Sequence, residues 1–338
     1  MNNKKICCIN LVLVIMLLTS CETEEQIVEK ESNSIDQITA SVFIDPDYKY
    51  QVFYDLETNT EVLRNLTTDW DLAFECGDNG HHIKLNSSRG MNVWASGQVD
   101  FSAVQSYAGA TWNWDNPNGI LDSTAIGDWW IMNEDSVISR NEVYVLNLGK
   151  DSENNHLGFK KLQILGFANN EYQVKVSDLS GENQFISYLR KDDNYNFIFL
   201  SILNSKTVTV EPPKKDWDLL FTKYTHTFYN DQNTPIPYGV TGVLINSYST
   251  SVHKDVDYGF EALNFEIAEE LNYLTDQNTI GYDWKNYDHD AGVYSINYHQ
   301  NYIIKNSKDF YFKMRFIDFF NDNGLKGNMK FEFQKLLP

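Results

Sequence analysis

The side chains from which this sequence could build a reactive or metal-holding centre are seven histidines, a surplus of carboxylates and very few cysteines. His81-His82 follows the turn-like run Asp78-Asn79-Gly80, and two imidazoles side by side could hold a divalent metal. Consecutive residues of a strand point to opposite faces, however, so a turn flank is the stronger reading. Asp322-Asn323-Gly324 begins like a calcium loop but lacks the spaced acidic ligands and terminal glutamate that calcium needs, which leaves a hairpin turn. The carboxylates of Trp70-Asp71 and Trp217-Asp218 are read as strand starts, with the indole in the core and the aspartate accepting backbone N–H groups. There is no Gly-x-Ser-x-Gly, no His-Glu-x-x-His and no phosphate-binding glycine loop, so no enzyme is expected.

The amino terminus carries its own chemistry. Lys4 and Lys5 precede an apolar run of about thirteen residues, Ile6 to Leu18, which is short of the roughly 20 that a spanning helix needs. Leu18-Thr19-Ser20-Cys21 completes the order of a secretory signal. We expect residues 1–20 to be removed and Cys21 to carry lipid, the only membrane attachment of the protein. Residues 21–40 are expected to form an acidic tether; it resembles the surface-export signal of Bacteroidetes lipoproteins, and the resemblance implies an outer-membrane location facing outward. Cys7 and Cys8 leave with the signal, so Cys76 remains as the one free thiol and no intrachain disulfide is possible. The mature chain keeps 25 basic against 47 acidic residues, a net charge of −22, which argues against nucleic acid as a partner.

The elements that must position these residues are strands. Aromatics make up 14% of the chain and accompany short runs rich in Val, Ile and Thr, such as Val143 to Leu148, Lys160 to Phe167 and Phe197 to Leu203. Asn169-Asn170 and Asn323-Gly324 separate such runs as hairpin turns do. The fold expected is all-β, predominantly antiparallel, with a minor helix where Phe260, Leu263, Ile267, Leu271 and Leu274 fall at helical spacing. The sequence also repeats itself. Trp70 to Phe74 recurs as Trp217 to Phe221, Ile126-Gly127 as Ile280-Gly281, and Lys161 to Phe167 as Lys313 to Phe319, in the same order and at offsets of 147, 154 and 152. Two tandem copies of one module follow, 41–190 and 191–338.

The order of these motifs resembles the HmuY family, hemophore-like lipoproteins of Bacteroidetes. The resemblance rests on Ser41 to Asp45 leading to Val52 to Leu56, on Trp70 to Phe74, on Ile83 to Asn86 followed by Val93 to Gly97, on Trp217 to Tyr224, on Gly239 to Asn246, and on a closing hairpin from Tyr302 to Leu336. It implies two HmuY-like β modules and a non-catalytic protein that binds heme or a related iron porphyrin, taken from a host heme carrier and passed to a TonB-dependent outer-membrane receptor. It further implies axial histidines, one of them five residues after a tryptophan. His289 stands in that relation to Trp284, with Tyr287 and Trp284 as pocket candidates. His253 is the candidate for the second ligand, with His226 and His299 as competitors, and Cys76 is read as a small buried hydrophobe rather than an iron ligand. The alternative is a surface glycan or peptide binder on the same scaffold, served by its abundant Trp and Tyr.

Overall fold

The computed structural model describes residues 36–134 and 136–338. The signal segment, Cys21 and most of the tether lie outside the described residues. Eleven strands occupy the first half: β1 (Ile38–Phe43), β2 (Tyr50–Asp55), β3 (Thr60–Leu66), β4 (Leu72–Glu75), β5 (Ile83–Leu85), β6 (Asn92–Ala95), β7 (Trp130–Asn133), β8 (Ser136–Ser139), β9 (Val143–Asn147), β10 (Phe159–Ala168) and β11 (Glu171–Ser177). Eleven more follow: β12 (Phe185–Arg190), β13 (Phe197–Ser201), β14 (Lys206–Val208), β15 (Leu219–Tyr229), β16 (Pro235–Ile245), β17 (Ser251–Asp255), β18 (Lys285–Asp288), β19 (Val293–Ile296), β20 (Asn301–Lys305), β21 (Tyr311–Phe320) and β22 (Lys326–Leu336). Every pairing between them is antiparallel.

Two five-stranded sheets run β12-β11-β10-β9-β6 and β1-β22-β21-β20-β17, two four-stranded sheets run β14-β13-β4-β5 and β16-β15-β2-β3, and β7-β8 and β18-β19 are hairpins. Advancing every strand by eleven, with β1 counted after β22, carries each sheet onto its counterpart. The result is two lobes, each of which takes its opening strands from the other half of the sequence. In the first lobe Leu189 and Leu200 pack with Leu72, Leu146, Leu162 and Tyr172; in the second, Val42, Val52 and Tyr54 pack with Phe221, Tyr302, Phe316 and Phe331. A smaller cluster of Phe53, Ala73, Phe197, Phe199, Val210 and Trp217 lies where the four-stranded sheets meet.

Recurring side-chain contacts account for the repeated motifs. Asp71 accepts from the backbone N–H of Ile202 at 2.6 Å, and Asp218 from that of Leu56 at 3.1 Å. Asn86 donates to the carbonyls of Thr67 and Trp70, and Asn246 to those of Lys214 and Trp217. Lys161 is buried against the carbonyls of Phe101 and Val104, as Lys313 is against those of Phe260 and Leu263. Gly281 adopts φ 67° and Gly127 φ 65°, a conformation that favours glycine.

Asn169 and Asn170 both take positive φ and join β10 to β11, as the two-residue hairpin requires. The helical stretch is shorter than its spacing suggests. Only α1 (Phe265–Glu270) is α-helical, because Asn264 caps it by accepting from the Ile267 N–H at 2.9 Å. Beyond its extended C-cap Leu271, the chain reaches Leu274, which bridges to Val252.

Candidate functional site

His289 sits at the exposed tip of the β18–β19 hairpin. The turn beneath it is held by Asp288, whose carboxylate accepts from the N–H groups of Asp290 and Ala291 at 2.8 and 2.9 Å, and these bonds lower its pKa. Tyr287 is 45% exposed and meets the His289 ring at 4.9 Å and Tyr294 at 4.8 Å. Trp284, at the base of the hairpin, is 1% exposed and stacks on Phe316 at 3.9 Å, so it belongs to the core and anchors the hairpin rather than lining an opening. Lys285 beside it donates to the Thr241 carbonyl and lies over the Trp284 ring at 4.3 Å, and burial pulls its pKa down to about 7.

His253 is elsewhere. On β17 it pairs with Ile303 of β20, and Lys254 pairs with Tyr302. Ile303 packs with the residues around α1, whereas Tyr302 and Ile304 belong to the second-lobe core. Side chains alternate across a strand, so His253 faces the α1 side, where its Nδ1 meets the Asn272 carbonyl at 2.8 Å and its ring meets Tyr273. The hairpin of His289 packs on the opposite face, through Tyr294 against Phe319. The fold therefore brings His289 and Tyr287 together but sets His253 across the sheet from them. Of the competitors, His299 is exposed, and His226 lies half-buried between Phe228 and Tyr282, each at 4.9 Å.

In the first lobe, His81 and His82 both reach Trp130 of the equivalent hairpin, at 5.7 and 5.1 Å. They precede β5 on a loop rather than on a strand, so strand alternation does not separate them. His81 is enclosed by Trp130, Phe167 and Tyr172, and burial lowers its pKa to about 4, which keeps the imidazole neutral. His82 is instead held by Glu75, with Nδ1 2.8 Å from Oε2. Cys76 is buried, and its thiol is pushed up to about 11, mainly by that burial. Among the described residues no group of three or more His, Cys, Asp or Glu could hold a metal ion, and no helix is long and apolar enough to cross a membrane.

A cleft lies between the lobes, lined by residues of both. Its walls carry Phe53, Trp70, Phe197, Phe199, Trp217 and Tyr248. Lys84 donates to Gln277 at 2.9 Å across the cleft, lies 4.9 Å from the Phe197 ring centre and has its pKa lowered by burial. Glu211 accepts from the N–H groups of Asn196 and Phe197 at 2.5 and 3.1 Å, and burial raises its pKa to about 8. Asp115 accepts from Leu85 and Ala125 and is raised to about 6, again chiefly by burial. The residues of this cleft are scattered from position 51 to 277; several, Trp70 and Trp217 among them, belong to the repeated motifs, but nothing local marked those motifs as a lining.

Among solved structures the chain is similar to apo PinO from Porphyromonas gingivitis, at 8% identity and TM-score 0.30 over 90% of this chain and 99% of that one. It is also similar to the apo HmuY analog of Tannerella forsythia, at 10% identity and TM-score 0.24 over 90% of this chain and all (100%) of that one. A candidate HmuY-like heme-binding protein of Bacteroides vulgatus gives 12% identity and TM-score 0.23 over 87% and 90%. No curated protein matches. The family model described as HmuY protein matches residues 47–333, and the chain belongs to that family.

Proposed function

We propose that this protein is a non-catalytic, lipid-anchored envelope protein that binds heme or a related iron porphyrin as cargo, built from two copies of one β module, 41–190 and 191–338. The observation that carries this reading is the family match across residues 47–333. Attachment through Cys21 to the outer membrane and transfer to a TonB-dependent receptor belong to the same proposal. The acidic charge of the chain, −20 overall, suits a soluble domain held away from an anionic membrane surface.

His289 and His253 do not fit one porphyrin within one chain as a facing pair, because they lie on opposite sides of a sheet. Singly, His289 fits: its imidazole is exposed, no hydrogen bond holds it among the described residues, and Tyr287 offers an apolar ring beside it. His253 donating through Nδ1 to Asn272 would leave Nε2 free for a metal. We therefore assign the axial role to His289 and keep His253 as the residue to be tested against it. Hemin titration of the mature protein, followed in the Soret region, should show saturable binding. His289→Ala should weaken it by about tenfold or more, with little change in His253→Ala. No saturable change in the parent would remove heme. Loss confined to His253→Ala would move the ligand to the α1 face.

A further inference from the structure

We infer that the cleft between the two lobes is a separate binding site, for the ring of a neutral sugar. The inference does not rest on the heme reading, since neither His289 nor His253 lines this cleft. Three buried polar atoms on its lining have no hydrogen-bond partner: Trp217 Nε1, Asn196 Oδ1 and Tyr224 Oη. Those side chains are 7%, 4% and 2% exposed. Buried polar groups are ordinarily paired with protein or water, so three such atoms on residues of one cleft leave hydrogen-bonding capacity that a ligand can satisfy. They comprise an N–H donor, a carbonyl acceptor and a hydroxyl that can do either. Lys84 adds further N–H donors, since Gln277 takes only one of its three.

Charge selects against ionic ligands. The titratable side chains on the lining are Lys84, Lys223, Asp115 and Glu211, and burial shifts all four toward their neutral forms. An added carboxylate, phosphate or ammonium would meet the same poorly solvated space, at the cost that burying an uncompensated charge carries. The ring geometry selects further. Phe53 meets Trp217 at 87° and Trp70 meets Phe199 at 84°, so the walls offer faces next to edges rather than the two parallel faces that would sandwich a flat base. A puckered ring with an apolar C–H face and hydroxyls that donate and accept around its rim matches this lining.

The test uses the mature chain, with tryptophan fluorescence and saturation-transfer NMR read against lactose, cellobiose, maltose and N-acetylglucosamine, and with adenine and hemin in parallel. At least one sugar should bind saturably. Lys84→Met, which keeps the stem and removes the ammonium, should weaken it by about tenfold or more. Ile120→Trp should do the same by narrowing the mouth, because Ile120 lines the cleft from a loop and is 48% exposed. Hemin binding should be unchanged in both variants. If Lys84→Met does not fold, Ile120→Trp decides alone, since it leaves the buried groups in place. Absence of transfer to every sugar, equal sugar binding by Ile120→Trp and parent, binding of adenine instead, or loss of hemin binding in Ile120→Trp would each overturn the inference.

Discussion

Asp71 and Asp218 begin the two copies of the Trp-Asp motif, yet they live in different electrostatic surroundings. Asp71 is paired with the buried Arg89, while Asp218 has Thr250 and the Leu56 N–H, and burial raises its pKa to about 7. Glu211 is raised further, from 4.5 to about 8, chiefly by burial. Its folded pKa lies above its unfolded one, so the folded chain retains a proton that the unfolded chain releases. The stability this gives is complete below pH 4.5 and is lost as pH rises through about 8. Glu211→Gln keeps an Oε1 that can accept from Asn196 and Phe197 but removes the titration. Thermal melts of the parent and the variant should therefore diverge as pH is raised through that window, the variant gaining on the parent. Asp218 keeps part of the slope in both proteins, and Lys285, lowered to about 7, contributes the opposite sign above that pH, so the difference between the curves is the readout. Parallel curves would show that Glu211 does not carry the effect.

Strands and turns were the elements most legible in the sequence, and glycine shows why some of their partners were not. Gly242 of β16 lies against the Ile280-Gly281 segment, and Val243 and Gly281 exchange two backbone hydrogen bonds of 2.9 and 3.0 Å. A Cβ on residue 242 would stand 2.2 Å from the Gly281 carbonyl oxygen, which is backbone and cannot turn aside. Gly242→Ala should cost about 1–3 kcal/mol or more by overpacking, visible as a lowered denaturant midpoint with the slope unchanged. An unchanged midpoint would mean that the 280–284 segment is free to move. The recurrence of Ile-Gly was visible in the sequence, but its cause, a positive φ and a close backbone crossing, is a tertiary fact. The same holds for the site. His289 was singled out by the family resemblance, which implies a ligand five residues after a tryptophan, and Tyr287 does lie beside it, but nothing in the sequence revealed that His253 faces the other side of the sheet. That depends on the register pairing His253 with Ile303. Asn264 ends the helical reading for a local reason, because it caps α1 and so interrupts the periodic stripe from Phe260. The cleft was illegible because its lining comes from both halves of the chain.

At the scale of the whole molecule, the exchange of opening strands ties the two lobes into one folding problem. β1 pairs with β22 and β2 with β15, while β13, from the other half of the sequence, pairs with β4. A fragment 191–338 keeps β13 and β14 with no β4 to receive them, and loses the strands that cover β22 and β15. Val42, Ile44, Val52, Tyr54 and Leu56, all at most 3% exposed, leave the second-lobe core with those strands. Side chains of this kind contribute about 1.5–3 kcal/mol each when fully buried, which together is comparable to the whole usual margin of a domain, about 5–15 kcal/mol. Neither fragment 36–190 nor fragment 191–338 should show a cooperative thermal transition alone, whereas mixing the two after unfolding should restore one. A peptide spanning 36–68, added to 191–338, should recover β1 and β2 pairing but leave β13 unpaired, so it should restore less than the complete partner does. Full cooperative melting of 191–338 by itself would show that the second lobe closes without its borrowed strands, and that the two halves of the chain fold independently.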